Sequence, residues 1–410
     1  MVFNAKSAVP HQRAILIALL AAAVLVRVGV RVAFGEEYFW TGSYDIYYGM
    51  AKNIASGSGF STFRPPLYPL FLAVTTLAGK SYLLIILPQA LMGAGTALCA
   101  FLIGRHLFGS TAGLLACGMN AFYPYYVMHD TALQETGMVT FGMALAVWLL
   151  LRAKTLNRKQ DWFLAGLALG LVTLVRASVV PTVIAALVWT ALWGAQGDVW
   201  ERLQKSLIVL LAFSVTVTPW LIETYRLTGA PVLSSDTGRS LWIGNNSETF
   251  SYYPVESIDR SADEAMSKLT AGELAELEQL ANDKIAFSNW FSRRARVFIQ
   301  SNPRLVLQRA FRKLEAGFSW RLNPQREPLA QAAYALGYVP VIVLGLAGMI
   351  LAGRKSEVIL IGMLFLAFMG VTALFWAHTS HRSYLDVYLM VFAASVLIRV
   401  QTDHHRRAAS

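Results

Sequence analysis

Charge is scarce in this chain. Only 14% of its 410 residues are charged, against about 25% in an ordinary soluble domain, so a water-soluble fold of this length is excluded. Cysteine is nearly absent. Cys99 and Cys117 each sit in an apolar run, form no metal-ligand spacing and support no disulfide framework. The alternating segments of a spanning barrel are missing too. So are a Walker motif, a G-x-G-x-x-G turn opening a βαβ unit, and a nucleophile elbow. Nucleotide cradles and serine-hydrolase chemistry have no footing here.

What is present is apolar length. Hydrophobic residues make up 56% of the chain, in recurring runs of the ~17–25 residues that cross a bilayer as helix. The fold class expected is an all-α polytopic membrane protein. About ten spans are expected, near 14–34, 81–104, 111–128, 136–151, 162–178, 179–195, 206–222, 334–352, 357–377 and 384–400. The shorter apolar piece 67–79 reads as a partly inserted helix. Arg27 and Arg31 interrupt the first run and no small-residue cleavage site follows it, so an uncleaved span is expected in place of a signal peptide. The organisation reads as a transmembrane module (1–222) with catalytic outer loops, an outer loop with amphipathic helices (223–333), and terminal spans with a basic tail (334–410).

Orientation follows from lysine and arginine in the short loops. With the N-terminus in the cytoplasm, the basic stretches 152–160, 201–205, 353–355 and 399–407 all fall inside. Both termini are then cytoplasmic, and the polar clusters fall on the outer, extracytoplasmic face, as in a bacterial inner membrane. The net charge of +11 is read as lipid and topology signal, not nucleic-acid binding. Residues 223–333 read as amphipathic helix and not as a separate globular domain. Its arginines (293, 294, 296, 304, 309, 312) and Lys313 either lie against lipid phosphates or help form a pocket for a phosphate-bearing lipid.

Candidate chemistry clusters at that outer face. Ser43 reads as an N-cap and Tyr44–Ala55 as a short helix stopped at Gly57 and Gly59. On it, Asp45, Tyr48 and Lys52 share one face at helical spacing; an acid in a first turn also simply complements the helix dipole. Arg64-Pro65-Pro66 then sets an extended approach into the short apolar helix. His129, Asp130 and Glu135 stand where the chain re-enters the membrane, a depth at which an ionisable group has a partner or a task. Arg176 at a span end either snorkels or binds an anion. Trp242 and Asn245 lie in a glycine-rich turn, 238–246, suited to offering amide donors. Asn245-Asn246-Ser247 also matches a glycosylation triplet, a pattern frequent by chance. His378, His381, Arg382, Tyr384 and Asp386 gather before the last span; the histidine pair lacks a third metal ligand fixed by spacing, and Arg382 reads as an anion binder.

In order, these are an acid in the first outer loop, a G-x-G-F break at 57–60, R-P-P-L-Y-P at 64–69, Glu135, L-W-I-G-N-N at 241–246, and R-x-Y-x-x-x-Y from Arg382. The series resembles the GT-C superfamily of membrane glycosyltransferases, in its protein O-mannosyltransferase and aminoarabinose-transferase-like branch, over about residues 14–400. The resemblance implies a polyprenyl-phosphate sugar donor, inversion at the anomeric carbon, an active site on the outer face, and Asp45 as the catalytic acid of the first loop. There are departures. Glu135 stands in place of an Asp-Glu pairing, Arg382-Ser-Tyr384-Leu-Asp386 replaces the R-Y-x-x-P pattern, and a sizeable soluble C-terminal domain is not expected.

Phosphate leaves readily near neutral pH, so the chemistry needs a carboxylate near the acceptor hydroxyl and cations for the departing phosphate. Asp45 is the expected base. Glu135 either orients the acceptor or shares a divalent ion (Mg or Mn) with Asp45. Tyr44, Tyr48, Lys52, Arg64, Arg176, Trp242, Asn245, His381, Arg382 and Tyr384 are the expected substrate-binding residues. The acceptor, whether lipid, glycan or protein, stays open. The alternatives are a transporter or flippase of a lipid-linked sugar, which calls for an internal repeat and midplane polar groups, and a non-catalytic envelope-assembly protein.

Overall fold

A chain this apolar must satisfy its backbone hydrogen bonds internally, and helices do so. The computed structural model describes residues 10–41, 45–79, 81–376 and 378–409, with the side chains of Tyr38, Thr41, Asp45 and 403–409 outside that description. Among the described residues there is no strand.

The first half holds α1 (Pro10–Thr41), α2 (Asp45–Ala55), α3 (Leu67–Leu77), α4 (Leu83–Phe108), α5 (Ser110–Phe122), α6 (Pro124–Asp130), α7 (Thr136–Leu156), α8 (Lys159–Thr173), α9 (Val180–Trp189) and α10 (Val199–Thr228). Five shorter helices follow: α11 (Thr237–Ile243), α12 (Arg260–Ser267), α13 (Ala271–Leu280), α14 (Lys284–Ser301) and α15 (Pro303–Gly317). The chain ends in α16 (Pro328–Ala352), α17 (Ser356–Leu374) and α18 (Ser383–Ala409).

Eight stretches among the described residues are long and apolar enough to span a membrane: 10–37, 83–108, 136–156, 177–194, 199–228, 328–352, 356–374 and 379–402. The other two expected spans are present as shorter helices. The run at 111–128 is cut at Tyr123, whose extended backbone precedes Pro124, into helices of 13 and 7 residues. The run at 162–178 gives the 15-residue α8. The apolar piece at 67–79 forms the 11-residue α3.

Close helix pairs rest on small residues, the usual means of tight approach in lipid. A Cβ on Gly104 of α4 would stand 2.9 Å from the Gly113 Cα of α5, and one on Gly348 of α16 would stand 2.4 Å from the Phe392 carbonyl of α18. The arginines that interrupt α1 are buried with partners. Arg27 donates to Asp130 at 2.7 Å and to the carbonyls of Ala23 and Ala121, while Arg31 donates to the carbonyls of Thr131 and Gly35. Asp130 is therefore the structural partner of Arg27, and its depth needs no other explanation.

The basic loops gather at one end of the bundle. Arg152 pairs with Asp161 at 3.1 Å and Lys154 with Glu357 at 2.6 Å, while Lys205 donates to the Gln196 carbonyl at 2.6 Å. Helices α2 and α11–α15 lie at the other end. Residues 242–295 build a small apolar core of their own, in which Trp242, Ile258, Leu277, Trp290 and Phe291 are buried. Trp290 and Phe291 turn inward, while Leu307 and Phe311 of α15 stay exposed. Local signals start these helices: Thr270 and Glu273 form a capping box on α13, and Asp283 accepts from the amides of Ile285 and Ala286 on α14.

Candidate active site

Between this cap of short helices and the bundle lies a cavity of about 1260 Å³. Its wall is assembled from distant parts of the sequence: the start of α2, the Arg64-Pro65 approach, the mouths of α7 and α9, residues 231–243, α14, the end of α17, and the turn before α18.

Helix α2 turns Tyr47, Met50 and Ala51 into the core. Tyr47 packs edge-on against Tyr68, with ring centroids 5.1 Å apart, and lies near Glu135. Ile46 and Tyr47 line the cavity. Asp45 is the first residue of this helix, directly before these two; its side chain, like the whole of Ser43 and Tyr44, lies outside the described residues. Tyr48 and Lys52 do not line the cavity. They sit on the neighbouring face, where Tyr48 packs on Trp40 and the Lys52 ammonium rests 5.3 Å from the Tyr48 ring. The buried face is the one carrying positions 47, 50 and 51, and the helical row of 48 and 52 lies beside it.

Glu135 and Arg176 meet on the cavity wall. The glutamate Oε1 accepts from Arg176 Nη2 at 2.8 Å and from Nε at 3.2 Å, and Thr136 Oγ1 accepts from Nη2 at 3.3 Å. Burial by itself would raise the Glu135 pKa; the Arg176 charge and hydrogen bonds outweigh it and hold the carboxyl below its ordinary value. Arg176 Nη1 is buried without a hydrogen-bond partner.

Arg64 donates to Asp236 Oδ2 at 2.8 Å and lies 4.7 Å over the Phe63 ring. Asp236 also accepts from Ser240 Oγ at 3.2 Å and faces Arg239 at 3.9 Å. Burial raises its pKa, and the two arginines oppose that rise. Sequence reading passed over both Tyr47 and Asp236. The signal for Asp236 was an acid between two serines and Thr-Gly shortly after a span, indistinguishable from a turn until the fold pairs it with Arg64.

His381 and Tyr384 line the cavity, together with His378. The histidine rings are 5.6 Å apart, and His378 Nε2 stands 3.7 Å from Asp259. Among the described residues no group of three His, Cys, Asp or Glu side chains could hold a metal ion. Glu135, the described half of the expected cation pair, is engaged by an arginine.

Three expected binders are structural instead. Trp242 is buried against Phe291, 5.0 Å between centroids. The Asn245 amide donates to the carbonyls of Leu241 and Leu374 while its oxygen accepts from Lys313, so neither ligand donation nor glycosylation is open to it. Arg382 is wholly buried. It donates to Asp386 at 2.9 Å, to the Gly317 carbonyl and to the Tyr334 hydroxyl, with its guanidinium 3.8 Å over Tyr338. The charge holds α18 to α15 and α16.

Residues 63–222 match the family model described as dolichyl-phosphate-mannose-protein mannosyltransferase. That stretch contains Arg64, Glu135 and Arg176 but not Asp45. A segment of 110 residues is 33% identical to YkcB of Bacillus subtilis (strain 168), which carries the name of a mannosyltransferase; it covers 26% of this chain and 15% of that protein. The fold matches the archaeal oligosaccharyltransferase AglB from Archaeoglobus fulgidus, solved in complex with an inhibitory peptide and a dolichol-phosphate. That match has a TM-score of 0.55 and 14% identity over 98% of this chain and 51% of that one. The apo form of the Archaeoglobus fulgidus oligosaccharyltransferase gives 0.57 and 15%, over 96% and 51%. The chain spans about half the length of these solved relatives. The chain shares the membrane-helical fold of these oligosaccharyltransferases.

Proposed function

We propose that this protein transfers a sugar from a polyprenyl-phosphate donor to a hydroxyl on a lipid, glycan or protein acceptor inside this cavity. The observation that carries the reading is Arg176, a guanidinium nine-tenths buried on the cavity wall with one nitrogen lacking an acceptor. An anionic oxygen is the natural complement to such a donor. Arg64 lines the same wall, and Val180, Leu221, Val371 and Phe375 supply apolar surface for a lipid chain. The dolichol-phosphate bound to AglB supports the same ligand chemistry.

In this reading the acceptor oxygen attacks the anomeric carbon on the face opposite the phosphate. The carbon–oxygen bond to phosphate breaks, its electron pair leaves with polyprenyl phosphate, and configuration inverts. The Asp45 carboxylate takes the acceptor proton, Arg64 and Arg176 neutralise the leaving phosphate, and His381 and Tyr384 line the sugar. Glu135, held ionised, fixes Arg176 and offers its remaining lone pairs to the acceptor hydroxyl. The basic end faces the cytoplasm and the cavity the outer side of a bacterial inner membrane, supported by the loop charge asymmetry.

The test is release of polyprenyl phosphate from radiolabelled polyprenyl-phosphate hexoses by the purified protein in nanodiscs with membrane acceptor extract. Wild type turns over, and Asp45→Asn loses at least about 100-fold while remaining inserted and folded. Ordinary turnover by Asp45→Asn would refute the assignment of the base.

A further inference from the structure

Asp236 belongs to none of the roles assigned so far, yet it is a buried carboxylate on the wall that an arginine grips. Two of the arginines that line the cavity are held very differently. Arg176 is 10% exposed and fixed by donating two hydrogen bonds to Glu135 and one to Thr136. Arg64 is 34% exposed, with one hydrogen bond, to Asp236, and a ring contact to Phe63. Arg176 is built to stay and Arg64 is free to swing.

The frame around the Arg64–Asp236 contact is rigid. The Ser235 amide donates to the Thr62 carbonyl at 2.8 Å, Ser234 Oγ to the Phe63 carbonyl at 2.6 Å, and Thr62 Oγ1 to Ser235 Oγ at 3.1 Å. Backbone and hydroxyl groups thus join the first loop to the segment after α10 without help from the ion pair. Were Arg64 to leave, Asp236 would keep Ser240 and the nearby Arg239 as partners. The carboxylate is 2% exposed and its site tolerates loss of the one contact.

The geometry points to Asp236 as a resident anion that holds Arg64 in the empty cavity and yields it to the donor phosphate on binding. This rests on the polyprenyl-phosphate reading above. Asp236 is a positioning residue: it acts through Arg64, presets the guanidinium in the cavity, and sets a threshold that a neutral or weakly anionic lipid does not cross. The phosphate must outcompete one carboxylate, so removing that carboxylate tightens lipid-phosphate binding. A merely structural clasp would loosen it.

The experiment is equilibrium binding of radiolabelled undecaprenyl phosphate to the full chain in phosphatidylcholine nanodiscs, for wild type, Asp236→Asn, Arg64→Gln and the double variant. Asp236→Asn should bind about two- to fivefold tighter, the scale of a partly exposed ion pair. Arg64→Gln should bind at least about tenfold weaker, and Asp236→Asn should add nothing in the Arg64→Gln background. Unchanged or weaker binding by Asp236→Asn, or the same gain without Arg64, overturns the inference while wild-type binding upholds the donor reading. Should Asp236→Asn fail to fold, wild-type affinity retained by Arg64→Gln overturns it equally. Absence of binding by wild type itself brings down the donor reading and this inference together.

Discussion

Replacing Glu135 by alanine tests how the cavity wall is held. In water an Arg–Glu pair contributes less than about 1 kcal/mol. Here the two side chains are 14% and 10% exposed, and one carboxylate oxygen takes both Arg176 contacts. The alanine variant strands a buried guanidinium whose Nη1 already lacks a partner, which costs about 3–5 kcal/mol. Glu135→Gln keeps the shape and one acceptor and should cost less, and Glu135→Ala combined with Arg176→Met should recover most of the loss. Denaturant unfolding in one detergent at pH 7, followed by tryptophan fluorescence, measures all three. The sign with pH is fixed by the lowered carboxyl pKa. The contribution is whole above the unfolded value of about 4.3 and is lost as pH falls through the folded value, so wild type and Glu135→Ala converge in acid. A loss under about 1 kcal/mol at pH 7, or a double variant no better than the single, would refute the reasoning.

Two further outcomes follow from buried charges. A Cβ at Gly93 would stand 2.3 Å from Arg27 Nε and 2.4 Å from Asp130 Oδ2, so Gly93→Ala should break that pair and cost about 3–5 kcal/mol; an unchanged melting temperature in detergent would contradict this. Lys313 is buried, donating to Asn245 and to the Ala373 and Leu374 carbonyls at the end of α17, and burial brings its pKa down to about 7. Below that value both folded and unfolded states are protonated and the burial penalty is full. As pH rises toward the unfolded value of about 10.4, the folded protein sheds its proton first and stability increases, by at most about 1.4 kcal/mol per pH unit. Lys313→Met should abolish that slope, and a stability profile flat from pH 7 to 10 in wild type would refute the assignment.

The period and length of the apolar runs made the class legible, because a span needs little more than twenty apolar residues in a row. The pairing of charges was not legible. Arg27 finds Asp130 and Arg64 finds Asp236 across 103 and 172 positions, and no local pattern encodes such distances. Helix α2 shows a subtler limit. Spacing placed Tyr48 and Lys52 on one face correctly, yet an amphipathic helix with aromatic residues on both sides does not announce which side the core takes; Tyr47 went inward. Arg382 read as an anion binder because it is charged beside a span end. Asp386 one turn later was the signal that its partner lay within the fold. Glu135 and Arg176, both at helix mouths, were legible because charges at that depth need each other or a ligand, and here the pair leaves one donor over.

The central claim is that the cavity receives a polyprenyl phosphate, and a structure of the full chain with that lipid bound tests it most directly. The account places the phosphate within hydrogen-bond distance of Arg176 Nη1 and Arg64, with the polyprenyl chain running along Leu221 and Val371. A phosphate seated at the opposite, basic end beside Arg152 and Lys154, or on the outer surface of α15, would contradict it.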